Sequence, residues 1–284
     1  MLVSVVIPFY NYKNWLVEAI DSVLSQDYPS IEIIVVNDGS DEDITDIEEK
    51  YDKHVVFLKK NNGGAASARN LGISNAKGIY VSFLDSDDLF KVDKISRQVS
   101  YMNDTGLAWS QHSYYKLYHD ERRRLVDTSM YVGDVYKRIF TSFRVQTSTV
   151  MVRRDVLCSN NYCFPENFRN GQDGEFYKAI AEKYPLGFVP DAYSDFRIRG
   201  GNVGFNPEVL LRNKSQIWHA LSDPNNYQRE VGAAIRFCHK VGHVCYSGFL
   251  RICKFLPASR LRKPLAGAFY IVPFILFKIV NRII

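Results

Sequence analysis

Tyr80-Val81-Ser82-Phe83-Leu84-Asp85-Ser86-Asp87-Asp88 is a short apolar run that stops abruptly at three carboxylates. A run this short and this apolar reads as a strand covered on both faces, as strands of parallel sheets are. Its neighbours agree. Residues 65–76 and 92–102 read as helices on either side, and three more β-rich runs lie upstream at 3–7, 32–36 and 55–58, separated by helical stretches at 15–25 and 44–50. In 15–25 the apolar residues Leu16, Ala19, Ile20, Val23 and Leu24 recur at spacings of three and four, one buried helix face. Regular strand–helix alternation means βαβ units, hence an α/β, Rossmann-like, mostly parallel sheet with helices on both faces.

From Gly106 the texture changes. Residues 107–118 are aromatic and β-like, 120–124 read as a hairpin turn with solvated arginines, and helices are expected at 134–141 and 174–183. Strands are expected at 149–152, 187–189 and 193–197. Beyond Pro207 the pattern is helical to the end. The division expected is an α/β domain over 1–205 and a helical extension over 206–284.

The 284 residues are 46% hydrophobic and 24% charged, which excludes wholesale disorder. The net charge of +5 averages two unlike parts. Nine of the 36 Lys and Arg follow Glu230, and no Asp or Glu does; residues 1–230 hold 27 basic against 31 acidic side chains. A basic tail on an acidic body suggests contact with an anionic surface. Five cysteines, an odd number with no Cys-x-x-Cys pair, fit neither a disulfide framework nor a zinc site. Reduced thiols in the cytoplasm are expected. The first residues lack a basic n-region and meet Pro8 at once, unlike a signal peptide.

Open α/β sheets bind ligands beyond the carboxyl ends of their strands. Those ends read Pro8-Phe9-Tyr10-Asn11, Asn37-Asp38-Gly39-Ser40 and Asp85-Ser86-Asp87-Asp88. A helix start explains one Asp of the last cluster well and three poorly. A hard divalent cation relieves the mutual repulsion, and Mg²⁺ commonly uses one or two carboxylates plus substrate phosphates. Asn61-Asn62-Gly63-Gly64 turns into a helix of small residues bearing Arg69, whose guanidinium can stack on a base or fork onto an anion. Neither G-x-G-x-x-G nor G-x-x-x-x-G-K-[ST] occurs, which removes the main support for dehydrogenase and P-loop readings.

In their order, Ser4-Val5-Val6-Ile7-Pro8-Phe9-Tyr10-Asn11, Val36-Asn37-Asp38-Gly39-Ser40, Asn62-Gly63-Gly64-x-x-x-Ala68-Arg69-Asn70 and Phe83-Leu84-Asp85-Ser86-Asp87-Asp88 resemble glycosyltransferase family 2. The resemblance implies the GT-A fold, a nucleotide-sugar-binding half over 1–105 and an acceptor and catalytic-base half over 106–205. More weakly, Ser148-Thr149-Val150-Met151-Val152-Arg153-Arg154 is similar to the family's mid-domain strand. Gly171-Gln172-Asp173-Gly174 falls where the family has Glu-Asp before a helix, with Gln172 in place of Glu. Phe196-Arg197-Ile198-Arg199-Gly200-Gly201-Asn202-Val203 is similar to a later segment in which His is common where Arg199 stands.

What the resemblance implies is inverting transfer of a hexosyl or N-acetylhexosaminyl group from a nucleotide-diphosphate donor, a UDP-sugar by family habit, to a glycan hydroxyl. Asp173 is the expected catalytic base, with the N-cap of the following helix as its plain structural use. Pro8, Phe9 and Tyr10 would line the base pocket, Asp38 would hydrogen-bond the nucleoside, and Arg69 would sit by base or phosphates. In the DXD motif Asp85-Ser86-Asp87, Mn²⁺ or Mg²⁺ would rest on Asp87 with Asp88 or Asp85 assisting. Arg199 is a diphosphate-contact candidate. The acceptor expected is a lipid-linked oligosaccharide in bacterial surface polysaccharide (O-antigen or capsule) synthesis.

Residues 264–277 carry no charge and are flanked by Arg260, Arg262, Lys263, Lys278 and Arg282. Fourteen helical residues cover about 21 Å, short of the ~30 Å hydrocarbon core, and Pro273 is expected to interrupt them. With Phe269, Tyr270, Phe274 and Phe277, and Phe237, Val241, Val244, Phe249, Ile252 and Phe255 upstream, the tail suits an anionic membrane surface, on the cytoplasmic face of the inner membrane. Packing on the domain, with a homo-oligomer contact, is the alternative. Nucleic acid is not expected, because the aliphatic runs would be wasted on phosphates. Two other functions remain to be weighed. A non-catalytic sugar-nucleotide-binding or scaffold protein is kept open by Gln172 and Arg199. A nucleotidyltransferase would carry a glycine-rich basic loop where Pro8-Phe9-Tyr10-Asn11 stands.

Overall fold

Four parallel strands, β1 (Val3–Phe9), β2 (Ile31–Asn37), β3 (Val55–Lys59) and β4 (Tyr80–Phe83), lie in the order β3-β2-β1-β4. The helices α1 (Lys13–Leu24), α2 (Thr45–Tyr51) and α3 (Ala65–Asn75) connect them. The computed structural model describes residues 1–168, 170–200, 206–223, 226–227, 229–254 and 261–283. Gly201, Asn202, Val203, Phe255 and Arg260, on which sequence expectations fell, lie outside them. The chain groups into two units, Met1–Val135 with Arg144–Arg199, and Tyr136–Phe143 with Gly200–Ile284.

The period-2 alternation of strands assigns the helices of the first unit to faces. Val3, Val5, Ile7 and Phe9 of β1 share a core with Leu16, Ala19, Ile20 and Val23 of α1 and with Ile47 and Tyr51 of α2. Ile95, Val99 and Met102 of the later helix α4 (Lys94–Thr105) join the same core. Val6 points the other way, onto α3. A Cβ on Gly72 would stand 2.3 Å from the Val6 side chain, so only glycine lets this helix lie so close. Leu24, expected in the α1 stripe, is 42% exposed as the last residue of α1.

The rest of the unit mixes directions. β5 (Leu89–Phe90) precedes α4, then β6 (Trp109–Leu117) and β7 (Arg123–Val126) form a hairpin. α5 (Tyr136–Ile139) belongs to the second unit. β8 (Met151–Arg153), α6 (Arg154–Ser159), α7 (Gln172–Ala181) and β9 (Leu186–Arg197) complete the first. β8 joins β4 to β6 antiparallel, β9 runs parallel to β6, and β5 closes the far edge antiparallel to β9. The two strands expected at 187–189 and 193–197 are one. β9 runs through Pro190 and Asp191, whose φ is 79°, by a register shift against His112 and Ser113 of β6. A bulge accommodates a residue without an N–H.

The second unit packs α8 (Pro207–Ser222), α9 (Ala233–Cys253) and α10 (Arg262–Ile283) around Leu211, Phe249 and Ala266. α10 is continuous through Pro273, contrary to expectation. An interior proline costs about 3 kcal/mol. Here Pro273 is buried within the helical unit and faces Gly242 of α9, whose added Cβ would stand 3.9 Å from it.

Candidate active site

The carboxyl ends of β1, β2 and β4 open onto a cleft of about 270 Å³. Pro8, Phe9, Tyr10, Asp38, Arg69, Asp85, Asp87 and Arg199 line it, so eight of the ten residues singled out in the sequence meet in one place. Asp88 and Asp173 do not line it.

Arg69 is 6% exposed and reaches from α3 to Asp85, with Nη2 2.5 Å from Oδ1. Its guanidinium lies 5.2 Å from the centre of the Phe164 ring. Phe164 stacks on Phe176 at 4.0 Å, and both meet Phe83 of β4 edge-on. This aromatic cluster ties α7 to β4. Asp85 stands two residues past Phe83, and Asp173 one helical turn before Phe176, so the packing brings the two carboxylates into each other's field.

Asp38 lines the cleft and is also engaged within the protein. Its oxygens accept from Lys60 Nζ at 2.8 Å, from Gly63 N–H at 3.0 Å and from Gly64 N–H at 2.7 Å. It is 3% exposed and pins the Asn61–Gly64 turn, where Gly64 takes φ 87°. The carboxylate therefore shapes the cleft wall chiefly through that loop.

The three clustered carboxylates have three distinct settings. Asp85 faces Arg69. Asp87 faces Arg199, Oδ2 to Nε 2.8 Å. Asp88 turns inward at 1% exposure, accepting from Ser148 Oγ at 2.6 Å and from the Arg197 N–H at 3.1 Å. Ser148 Oγ also accepts from the Asp85 N–H at 3.1 Å, so Asp88 braces the loop from beneath. Both its oxygens being engaged inside the protein, the ligand role expected for Asp88 does not match its position. Burial, then the Asp85 charge, raises the Asp87 carboxyl above the ordinary range, against Arg199. Burial, then Asp87 and Asp85, raises Asp88 well above it.

Asp173 sits in the first turn of α7. Burial pushes its carboxyl up, and Asp85 adds to this; the Gly174 N–H and Arg69 hold it back. A carboxylate so placed keeps a stronger affinity for a proton than an exposed one, as a general base requires.

The sequence left several supports unnamed as site residues. Arg197 donates from Nε to the Asp87 carbonyl at 3.0 Å and from Nη2 to Glu18 at 2.5 Å. The Tyr12 and Trp15 rings pack tilted at 4.6 Å beside Arg199, and Tyr12 holds φ 70° while Glu42 accepts from the N–H groups of Tyr12 and Lys13. The signal available was the Arg-x-Arg spacing at the end of a strand, which puts both side chains on one face.

Among the described residues no group of three His, Cys, Asp or Glu side chains forms a cage for a metal ion. The donor set still fits a hard divalent ion that takes its remaining ligands from phosphate and water. Asp85 and Asp87 face one cleft as oxygen donors, and each is now balanced by a cation.

The family model described as glycosyl transferase family 2 matches residues 4–158. An uncharacterized glycosyltransferase of Rickettsia felis is 39% identical over 208 residues, covering 72% of this chain and 34% of its own. The chain thus spans about a third of the length of the first curated relatives it matches. The Escherichia coli UDP-Glc:alpha-D-GlcNAc-diphosphoundecaprenol beta-1,3-glucosyltransferase WfaP is 42% identical over 116 residues, 40% of this chain and 46% of that protein. Among solved structures, S. aureus TarS 1–349 in complex with UDP-GlcNAc aligns with a TM-score of 0.66 at 22% identity, over 96% of this chain and 82% of that one. The Pyrobaculum calidifontis mannosyltransferase PcManGT with GDP-Man and Mn²⁺ aligns at 0.62 and 16% identity, over 98% and 86%. These structural likenesses share the GT-A architecture.

Proposed function

The chain belongs to glycosyl transferase family 2, and from that membership we propose that it is an inverting glycosyltransferase using a nucleotide-diphosphate sugar, with UDP as the nucleotide. The observation that carries the reading is the cleft at the strand ends, where Arg69–Asp85 and Arg199–Asp87 pairs face a wall built from Pro8, Phe9 and Tyr10.

The wall of β1 takes the base, and the loop pinned by Asp38 closes its side. Arg69, rigid against Phe164, orients Asp85 and adds positive potential. Asp87, with Asp85, would hold Mn²⁺ or Mg²⁺, whose part is to neutralise charge on the departing diphosphate. Asp173 accepts the proton of the acceptor hydroxyl as its oxygen attacks the anomeric carbon opposite the nucleotide. The glycosidic bond to the diphosphate breaks, the configuration inverts, and no covalent enzyme intermediate forms. A lipid-linked glycan is the acceptor the reading favours, WfaP being named for a diphosphoundecaprenol-linked substrate.

The helical unit suits work at a membrane surface. α10, at 22 residues about 33 Å long, is apolar enough to span, yet its buried side packs on its neighbours. Ile271, Val272, Phe274, Ile275 and Ile279 are exposed beside Lys278, and no acidic residue follows Glu230. Exposed apolar residues with only positive charges among them match an anionic leaflet.

The deciding experiment offers a panel of nucleotide sugars with Mn²⁺ or Mg²⁺ and follows released nucleotide. Release specific to one donor supports the reading. No release and no UDP binding across the panel overturn it.

A further inference from the structure

Arg199 has an unusual mounting for a residue beside a metal-binding carboxylate. Its Nε lies 2.8 Å from Asp87 Oδ2, and its guanidinium centre lies 5.7 Å from the Trp15 ring and 6.0 Å from the Tyr12 ring. The two rings pack against each other at 4.6 Å, tilted by 36°, and together give the cation an aromatic flank. Arg197, two residues earlier, contrasts with it. Its Nε and Nη2 are fixed to the Asp87 carbonyl and to Glu18, and its own N–H to Asp88. Arg197 is thus tied into the frame, while Arg199 stands at the cleft with 38% of its side chain exposed.

The geometry points to an exchange role for Arg199: it is an internal counter-ion that occupies Asp87 until the donor arrives, then passes to the donor's diphosphate and yields Asp87 to the divalent cation. The inference rests on the donor and metal reading above and adds an order to it. Without donor, a divalent ion approaching Asp87 meets a guanidinium on the same carboxylate, and two cations on one acceptor repel each other at short range. The diphosphate removes the conflict by bringing anionic oxygens enough for both. Arg199 passes from Asp87 to the diphosphate, and Asp87, only 13% exposed, keeps a positive partner throughout. Nucleotide and metal therefore assist each other, and by linkage each raises the other's affinity by one common factor.

The test measures Mn²⁺ binding by calorimetry and by electron paramagnetic resonance, with and without UDP, in wild type, R199A and R199K. In wild type Mn²⁺ alone binds weakly and UDP strengthens it, within the 5- to 150-fold usual for coupled sites. R199A is expected to bind Mn²⁺ alone at least about fivefold more tightly, to bind UDP in Mn²⁺ more weakly, and to show coupling reduced toward unity. R199K, keeping the charge but not the planar fork, falls between. If R199A binds Mn²⁺ alone no better than wild type, the exchange is wrong even where wild type binds both ligands. If wild type binds neither UDP nor Mn²⁺, the donor and metal reading itself fails and the exchange falls with it.

Discussion

Arg69 and Asp85 are joined across the cleft floor, Nη2 to Oδ1 at 2.5 Å, with the arginine side chain 8% exposed and the carboxylate 29%. The pair crosses from α3 to the end of β4, so it clamps two βα units together as well as charging the cleft. Removing the carboxylate strands a buried guanidinium. D85N should therefore lower stability by about 3 kcal/mol, whereas D87N, whose partner Arg199 can turn to solvent, should cost under about 1 kcal/mol. Chemical denaturation of both variants decides this; equal losses would mean that the Arg69 pair is no clamp.

Asp173 is the base in the proposed mechanism and has no part there in donor binding. D173N should fold, bind UDP as wild type does, and lose transfer by about 10²- to 10⁴-fold. UDP titration beside a transfer assay checks it, and wild-type turnover in the variant would remove Asp173 from the mechanism.

The same carboxyl predicts a pH profile. Burial raises its affinity for protons, and the base works only deprotonated, so kcat/KM should fall as pH drops through a value above the ordinary 3.8. An acid limb at or below that ordinary value would show that an exposed group governs the rate.

His112 gives a stability prediction. It is fully buried, donates from Nδ1 toward the Ser113 carbonyl at 2.7 Å, and its Nε2 has no partner among the described residues. Burial, helped by the Lys94 charge, pushes it from 6.5 down to about 3. The folded-state value is depressed, so the stability is whole above pH 6.5. It drains as pH falls toward 3, because only the unfolded chain accepts the proton there. The added slope is up to about 1.4 kcal/mol per pH unit. H112Q should flatten the stability curve in that window, and an unchanged slope would refute the assignment.

Membrane contact can be tested without disturbing the helical unit. I271D with I275D changes only exposed side chains, 56% and 50% accessible. Wild type should pellet with anionic vesicles at low salt and release at high salt, and the double variant should stay in solution. Wild type remaining in the supernatant with anionic vesicles would defeat the idea.

The parallel half of the sheet was legible because each strand is a local apolar run closed by polar residues, and each helix repeats at its own period. The second half was less so. Pro190 inside β9 broke a pattern that is continuous in space, and β5 and α6 are too short to carry a period. Pro273 misled for a related reason: it is buried in a packed helical unit and faces Gly242 of another helix, a setting its local sequence does not show.

The sequence by itself determined the fold class, the family and the strand ends at which polar groups would gather, since these follow from local periodicity and from motifs contiguous in the chain. Only the tertiary structure divided the labour among the carboxylates. Three aspartates within four residues look alike in sequence, yet one faces Arg69, one Arg199, and one turns inward to Ser148 and the Arg197 N–H. Their partners come from α3, from beyond β9 and from the loop before β8, and a charge's role is set by what lies within a few ångströms of it, however distant in the chain.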